Sequence, residues 1–268
     1  MTSRDAIISG ETNNRPSLNF IQRIENISER KKSPLILALD FPFRARGGDL
    51  LSDAKRIIEE TSEFFCAIKL NLHILLPLSL DELGDLNGFA ESHDLVSIAD
   101  LKLNDIDNTN LVASRYLWSC GFSAVIVNPF VGYEGGLDLL FGEALTRRKG
   151  VIALVYMSHK AADEGYGLKL EDGRFFFEAL IERAKKWNVC GAIVGATRAE
   201  IITKVRSSLP KEIKIFSPGH GPQGGDAIAS LKAGSDFLIY GRSIVETDDP
   251  RTSAKTIYES VLAWKEKR

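Results

Sequence analysis

Two rhythms of apolar and polar positions run along this chain. Apolar, β-branched runs of strand length lie at 35–39, 64–68, 95–99, 124–127, 151–156, 192–194, 213–216 and 237–240. Each is followed by a segment of helix length, at about 50–62, 80–92, 108–120, 134–147, 173–188, 198–208, 223–233 and 251–266. The strand runs are almost continuously apolar, as expected when both faces are covered, which argues for a parallel sheet. Eight such units in about 235 residues predict a single (β/α)8 TIM barrel, a fold whose chemistry gathers at the C-terminal ends of its strands. A doubly wound open sheet is the alternative, but no Gly-x-Gly-x-x-Gly follows the first strand.

Ahead of the barrel, residues 1 to about 15 are polar and are expected to form a mobile tail. From Ser17 onward Leu18, Ile21, Ile24 and Ile27 recur at three-residue steps, predicting a short amphipathic helix that ends in Glu29-Arg30-Lys31-Lys32 and packs on a barrel end. The expected organisation is an N-terminal tail and helix over 1–33 and a catalytic barrel over 34–268.

Composition narrows the setting. With 44% hydrophobic and 26% charged residues and a formal net charge of −2, nothing favours a nucleic-acid or membrane partner. No apolar run approaches the roughly 18 residues of a membrane span, and no basic-then-apolar leader opens the sequence. Cys66, Cys120 and Cys190 are odd in number, far apart and in apolar surroundings, which suits small buried hydrophobes in a reducing cytoplasm.

The expected strand ends carry charge. Asp40 closes the first strand and Lys69 the second, with Asn71 two positions on; Asp100 and Lys102 follow the third, and Asp105 lies in the loop beyond. Three charges in six residues after an apolar strand are costly to bury unless they pair with each other or with a ligand. A surface salt bridge explains one such pair, but not a rim of alternating sign around one mouth. Asn128-Pro129 closes strand 4, and Met157-Ser158-His159 closes strand 5. Strand 7 runs into Ser217-Pro218-Gly219-His220-Gly221-Pro222-Gln223-Gly224-Gly225 and strand 8 into Gly241-Arg242-Ser243. Glycines that admit close backbone approach, opposite an arginine fork at the next strand end, predict a phosphate site. His73, His93, His159 and His220 lack metal-ligand spacing, so no metal is assigned. Ser158 has no histidine and acid arranged around it and suits a hydrogen-bonding role, and Trp118, Trp187 and Trp264 suit helix packing.

These residues resemble one family, the orotidine 5′-monophosphate decarboxylases, in particular the short archaeal type. The resemblance runs from Leu35 to about Glu246. It rests on Leu37-Ala38-Leu39-Asp40, Ile68-Lys69, the strand 7 loop, Tyr240-Gly241-Arg242-Ser243-Ile244 and, most specifically, Asp100-Leu101-Lys102-Leu103-Asn104-Asp105-Ile106, which matches an Asp-x-Lys-x-x-Asp pattern. The resemblance implies a charged network of Lys69, Asp100, Lys102 and Asp105. Asp105 would reach into the partner's site in a homodimer, as would Ile106 and Thr109. Asp40, Lys69 and Thr109 would hold the ribose and Ser158 the pyrimidine ring, while Gln223, Arg242 and backbone near Gly221 would hold the phosphate. Pro218 and Gly241 are implied as further substrate contacts. His220 and Pro222 depart from the pattern, standing where members more often carry small or aliphatic residues.

The implied reaction converts orotidine 5′-monophosphate to uridine 5′-monophosphate, the last step of de novo pyrimidine synthesis, without cofactor. It would pass through a C6 carbanion-like intermediate protonated by Lys102. Three other readings fit less well. A magnesium-dependent sugar-phosphate decarboxylase or hexulose-phosphate synthase shares the pattern but, as the family is read, carries an acid at the strand 2 end, where this chain has Lys69. A non-catalytic phosphate-binding barrel would lack a member of the charged network. A Schiff-base aldolase would not need two aspartates beside its lysine.

Overall fold

The computed structural model describes residues 19–43, 50–221 and 223–267. Eight parallel strands close into a barrel in sequence order, β1 pairing with both β2 and β8. They are β1 (Leu35–Ala38), β2 (Ala67–Asn71), β3 (Val96–Leu103), β4 (Ala124–Val127), β5 (Gly150–Tyr156), β6 (Gly191–Val194), β7 (Lys214–Pro218) and β8 (Phe237–Tyr240). The helices are α1 (Phe20–Arg30), α2 (Leu50–Thr61), α3 (Leu72–Leu75), α4 (Leu80–Ser92), α5 (Asp107–Ser119), α6 (Asp138–Thr146), α7 (Ala162–Gly165), α8 (Phe176–Lys186), α9 (Ala199–Ser208), α10 (Ala227–Ala233), α11 (Arg242–Val245) and α12 (Pro250–Glu266). The fold is thus the expected (β/α)8 barrel with an N-terminal helix. No helix among the described residues is long and apolar enough to cross a membrane.

Strand alternation builds two shells. Leu35 and Leu37 of β1, and Leu39 just beyond it, face outward into the layer beneath the helices, whereas Ile36 and Ala38 face the barrel axis with Ala67, Ile98, Ile126, Leu154, Ile193, Phe216 and Ile239. Helix α1 seals the N-terminal end of this inner shell. Its buried face is Phe20, Ile24 and Ile27, with Ile21 only half-buried, and Phe20 stacks on Phe216, which stacks on Phe237. Glycines opening β5 and β6 make room for these rings. A Cβ on Gly150 would stand 2.5 Å from the Phe20 ring, and one on Gly191 would stand 2.4 Å from Phe216. An Asn19–Gln22 capping box starts α1, and a Lys214–Glu25 ion pair of 2.5 Å ties it to β7.

The differences from expectation have physical causes. β2 begins three residues later than its apolar run, because 62–64 form a 3₁₀ turn, so Lys69 and Asn71 lie within the strand. β3 continues through Asp100 and Lys102 to Leu103, since each charge is paired and does not end the ladder. Against β4 its register slips between Ala99 and Leu103, and Lys102 adopts a left-handed φ of 51°. Helix α10 starts at Ala227, which leaves Gln223 in the strand 7 loop. The expected N-terminal tail, Ser17, Leu18 and Pro222 lie outside the described residues.

Candidate active site

One further step along each inward-facing row brings the chain to the C-terminal mouth. Lys69 lies two residues beyond Ala67, Asp100 two beyond Ile98, Pro218 two beyond Phe216 and Gly241 two beyond Ile239, so strand parity alone aims them at a common centre. With Asp40, Asn71, Lys102, Met157, Ser158, Gly219, His220, Gln223 and Arg242 they line a cavity of about 200 Å³. Ala38, Leu154, Ile193 and Ile239 form its apolar floor.

A chain of charge runs across one wall. Asp100, 7% exposed, accepts from Lys69 Nζ at Oδ2 and from Lys102 Nζ at Oδ1, each at 2.8 Å. Lys69, 3% exposed, also donates to Asn71 Oδ1 at 2.5 Å, and Asn71 Nδ2 in turn donates to Asp40. Burial pushes Asp100 toward the neutral acid, but the ammonium groups of Lys69 and Lys102 outweigh it and hold the carboxyl below its usual range. Burial likewise opposes the charge on Lys69, and the carboxylates of Asp100 and Asp40 raise its pKa in spite of it. Both groups are therefore charged at neutral pH. The Lys102 side chain is one-third exposed, so its ammonium can both pair with Asp100 and face a ligand.

The opposite wall comes from the ends of β5, β7 and β8. Ser158 Oγ donates to Gln223 Oε1 at 2.7 Å, joining the β5 and β7 loops. Gly219 has φ 106°, and a Cβ there would stand 2.7 Å from Ser158 Cβ, so the loop needs glycine for both backbone and space. A Cβ on Gly241 would stand 2.8 Å from Asp40 Oδ2. Arg242 is exposed at the cavity and makes no ion pair among the described residues, leaving its fork free for an anion. His220, beside it, is 4% exposed and stacks on Tyr240 at 4.9 Å.

The cavity thus gathers Asp40, Lys69, Asp100, Lys102, Ser158, Pro218, Gln223, Gly241 and Arg242. It does not gather Asp105, Ile106 and Thr109, which are exposed on the loop and first turn of α5, nor Gly221, whose Cα faces Ser243. Asn71, Met157 and His220 line the cavity without having been singled out as site residues. Asn71 was legible, since it stands two positions after Lys69 and shares its face.

Comparison with known proteins points to one family. Residues 33–257 match the model of the orotidine 5′-phosphate decarboxylase / HUMPS family. The orotidine 5′-phosphate decarboxylase of Thermococcus kodakarensis is 35% identical over 232 residues, 87% of this chain and 98% of that protein. The OMP decarboxylase structure from Leishmania donovani superposes with a TM-score of 0.80 at 25% identity, covering 92% of this chain and 98% of that one. The Methanocaldococcus jannaschii orotidine 5′-monophosphate decarboxylase, solved in complex with the inhibitor BMP, superposes with a TM-score of 0.73 at 26% identity, over 85% and 98%.

Proposed function

The chain belongs to the orotidine 5′-phosphate decarboxylase / HUMPS family, and on that premise we propose that it decarboxylates orotidine 5′-monophosphate to uridine 5′-monophosphate. The observation that carries this reading is the buried Asp100 carboxylate held between two ammonium groups, one of which, Lys102, faces the cavity. Loss of CO2 leaves an electron pair on C6 of the pyrimidine, where no neighbouring group delocalises it. The protein must meet that charge electrostatically. The Lys102 ammonium stands where the pair develops, stabilises it and transfers a proton to C6, then regains one from solvent. Asp100 faces the substrate carboxylate. Two like charges about 4 Å apart repel by roughly 4 kcal/mol at an effective dielectric near 20, a repulsion that ends as CO2 departs. Lys69 keeps Asp100 ionised so that this repulsion exists.

Asp40 and Lys69 hold the ribose, with Asn71 fixing the distance between them; Ser158 bonds the ring; and Gln223, Arg242 and backbone from Pro218 to Gly221 and at Gly241 hold the phosphate. Phosphate contacts remote from C6 supply binding energy that orders the β7 loop over the substrate. Asp105, Ile106 and Thr109 serve the neighbouring site of a symmetric homodimer. That assignment is supported by their exposure, Ile106 being 66% exposed, and by Val112 and Tyr116 on α5, exposed at 38% and 55%. Lys69 supports this activity over its magnesium-dependent sister, because its ammonium sits where that chemistry needs an acid and would repel a divalent ion. The unpaired Cys66, Cys120 and Cys190 suit a reducing cytoplasm.

Loss of substrate absorbance, followed with purified protein in excess chelator, tests the reaction, and turnover is expected. No turnover with or without magnesium would overturn it. Lys102→Ala is expected to lose turnover by at least about a thousandfold while still binding uridine 5′-monophosphate; near-normal turnover would remove Lys102 from its role.

A further inference from the structure

Strand β6 contributes Ile193 to the cavity and the turn after it, residues 195–198, contributes none, yet that turn touches the backbone of both segments that carry the proposed ring and phosphate contacts. Gly195 donates its amide to Tyr156 O at 2.9 Å, and a Cβ on it would stand 2.6 Å from Ser158 Cα and 2.7 Å from Ser158 N. Only a glycine lets this turn approach so closely. Thr197 Oγ1 donates to the carbonyl of Ser158 at 3.1 Å. Arg198 pairs with Asp163 of α7, within the same β5 loop, and Asp163 also accepts from the hydroxyl of Tyr156, which is 1% exposed. On the other side, Ala196 N donates to Pro218 O at 2.8 Å, and a Cβ on Gly225 would stand 2.8 Å from Ala196 Cβ.

We propose that residues 195–198 are a brace that sets the relative position of the β5 and β7 loops, and that Thr197 and Arg198 are positioning residues acting through Ser158. Neither lines the cavity. Their hold is on the Ser158 carbonyl and on the short helix that continues its loop, which fixes where the Ser158 hydroxyl points. That hydroxyl meets Gln223 at 2.7 Å. The brace therefore orders both loops before substrate arrives and lowers the ordering that binding must supply.

The inference rests on the decarboxylase reading, and steady-state kinetics with orotidine 5′-monophosphate separate the two: an inactive wild-type protein fails the reading, and only variant behaviour fails the brace. Arg198→Ala and Thr197→Val are each expected to raise KM roughly tenfold and roughly threefold, with kcat within about twofold. On a Ser158→Ala background, where no hydroxyl remains to be aimed, the same substitutions are expected to change KM by less than about twofold. Equal KM factors with and without Ser158 would overturn the proposal, as would a fall in kcat and melting temperature with KM unmoved. Should Arg198→Ala not fold, the Thr197→Val pair carries the test alone.

Discussion

Replacing Asp100 by Asn keeps the shape of the side chain and removes the one negative charge between two ammonium groups. Lys69 and Lys102 both stand 2.8 Å from that carboxylate, but they differ in what happens next. Lys102, one-third exposed, can turn to water, and losing such a pair costs under about 1 kcal/mol. Lys69 is 3% exposed and is left as a buried charge without its main counter-ion, a loss of about 3–5 kcal/mol. In a chain of this size each kcal/mol moves the melting temperature by roughly 2–4 °C, so the variant should melt roughly 6–20 °C lower at neutral pH. The pH dependence is the sharper mark. In the wild type Asp100 is depressed and Lys69 raised, so their contribution is lost only in acid, as pH falls through the folded value of Asp100, and in strong base, as it rises through that of Lys69. Between the unfolded values, roughly 4 and 10.5, it is flat. Without Asp100, burial drives Lys69 below its unfolded value, folding releases protons, and stability should climb as pH rises from about 6 to about 9. Thermal melts across that range, with Lys102→Ala as the control that keeps the Lys69–Asp100 pair, provide the assay. Asp100→Asn melting within about 2 °C of wild type with no upward slope would refute the reasoning, as would an equal loss in Lys102→Ala.

Phe20→Ala should cost about 3–5 kcal/mol in urea unfolding by emptying the seal at the barrel's N-terminal end, while KM and kcat at the opposite end stay within about twofold. Gly241→Ala should raise KM for orotidine 5′-monophosphate roughly tenfold, because its Cβ would stand 2.8 Å from Asp40 Oδ2 and displace a ribose contact; an unchanged KM would free Asp40 from that role. His220→Leu bears on acid stability. Burial pushes the imidazole down to about 4 from 6.5, so below pH 6.5 the unfolded chain takes a proton that the folded one refuses, and wild-type stability falls by about 3 kcal/mol between those values. The leucine variant should lose correspondingly less between pH 7 and pH 4.5, and equal losses in both proteins would contradict the assignment.

The barrel was legible because each strand is an unbroken apolar run and each helix an amphipathic segment of ordinary length, so eight repeats left few alternatives. Part of the cavity was legible for the same reason: Asp40, Lys69 and Asp100 each close a run with a charge, and parity aims all three inward. The boundaries of β2 and β3 were less so. An apolar run stops at its first charge, whereas a ladder continues through charges neutralised by a neighbouring strand, and Lys69 and Asp100 are such neighbours. His220 and Met157 were not singled out because an imidazole or a thioether beyond a strand carries no charge pattern to mark it, whereas Asn71 was marked by standing two positions after Lys69 on the same face.

The position of Lys102 shows what no pattern in one strand could disclose. In a regular ladder Asp100 and Lys102 would stand on one face at matched spacing with β4. Instead β3 slips by two residues against β4 between Ala99 and Leu103, and the slip is taken up at Lys102, whose φ of 51° is left-handed. A non-glycine residue pays roughly 1–2 kcal/mol for that conformation, and a local side-chain hydrogen bond offsets it here. What holds it is the 2.8 Å bond from its ammonium to Asp100, itself fixed from the far side by Lys69. No residue of β4 lines the cavity, whereas Asp100 and Lys102 of β3 both do. The strain and the proposed proton donor coincide in one residue, the arrangement expected when surrounding structure fixes a reacting group in place before substrate arrives.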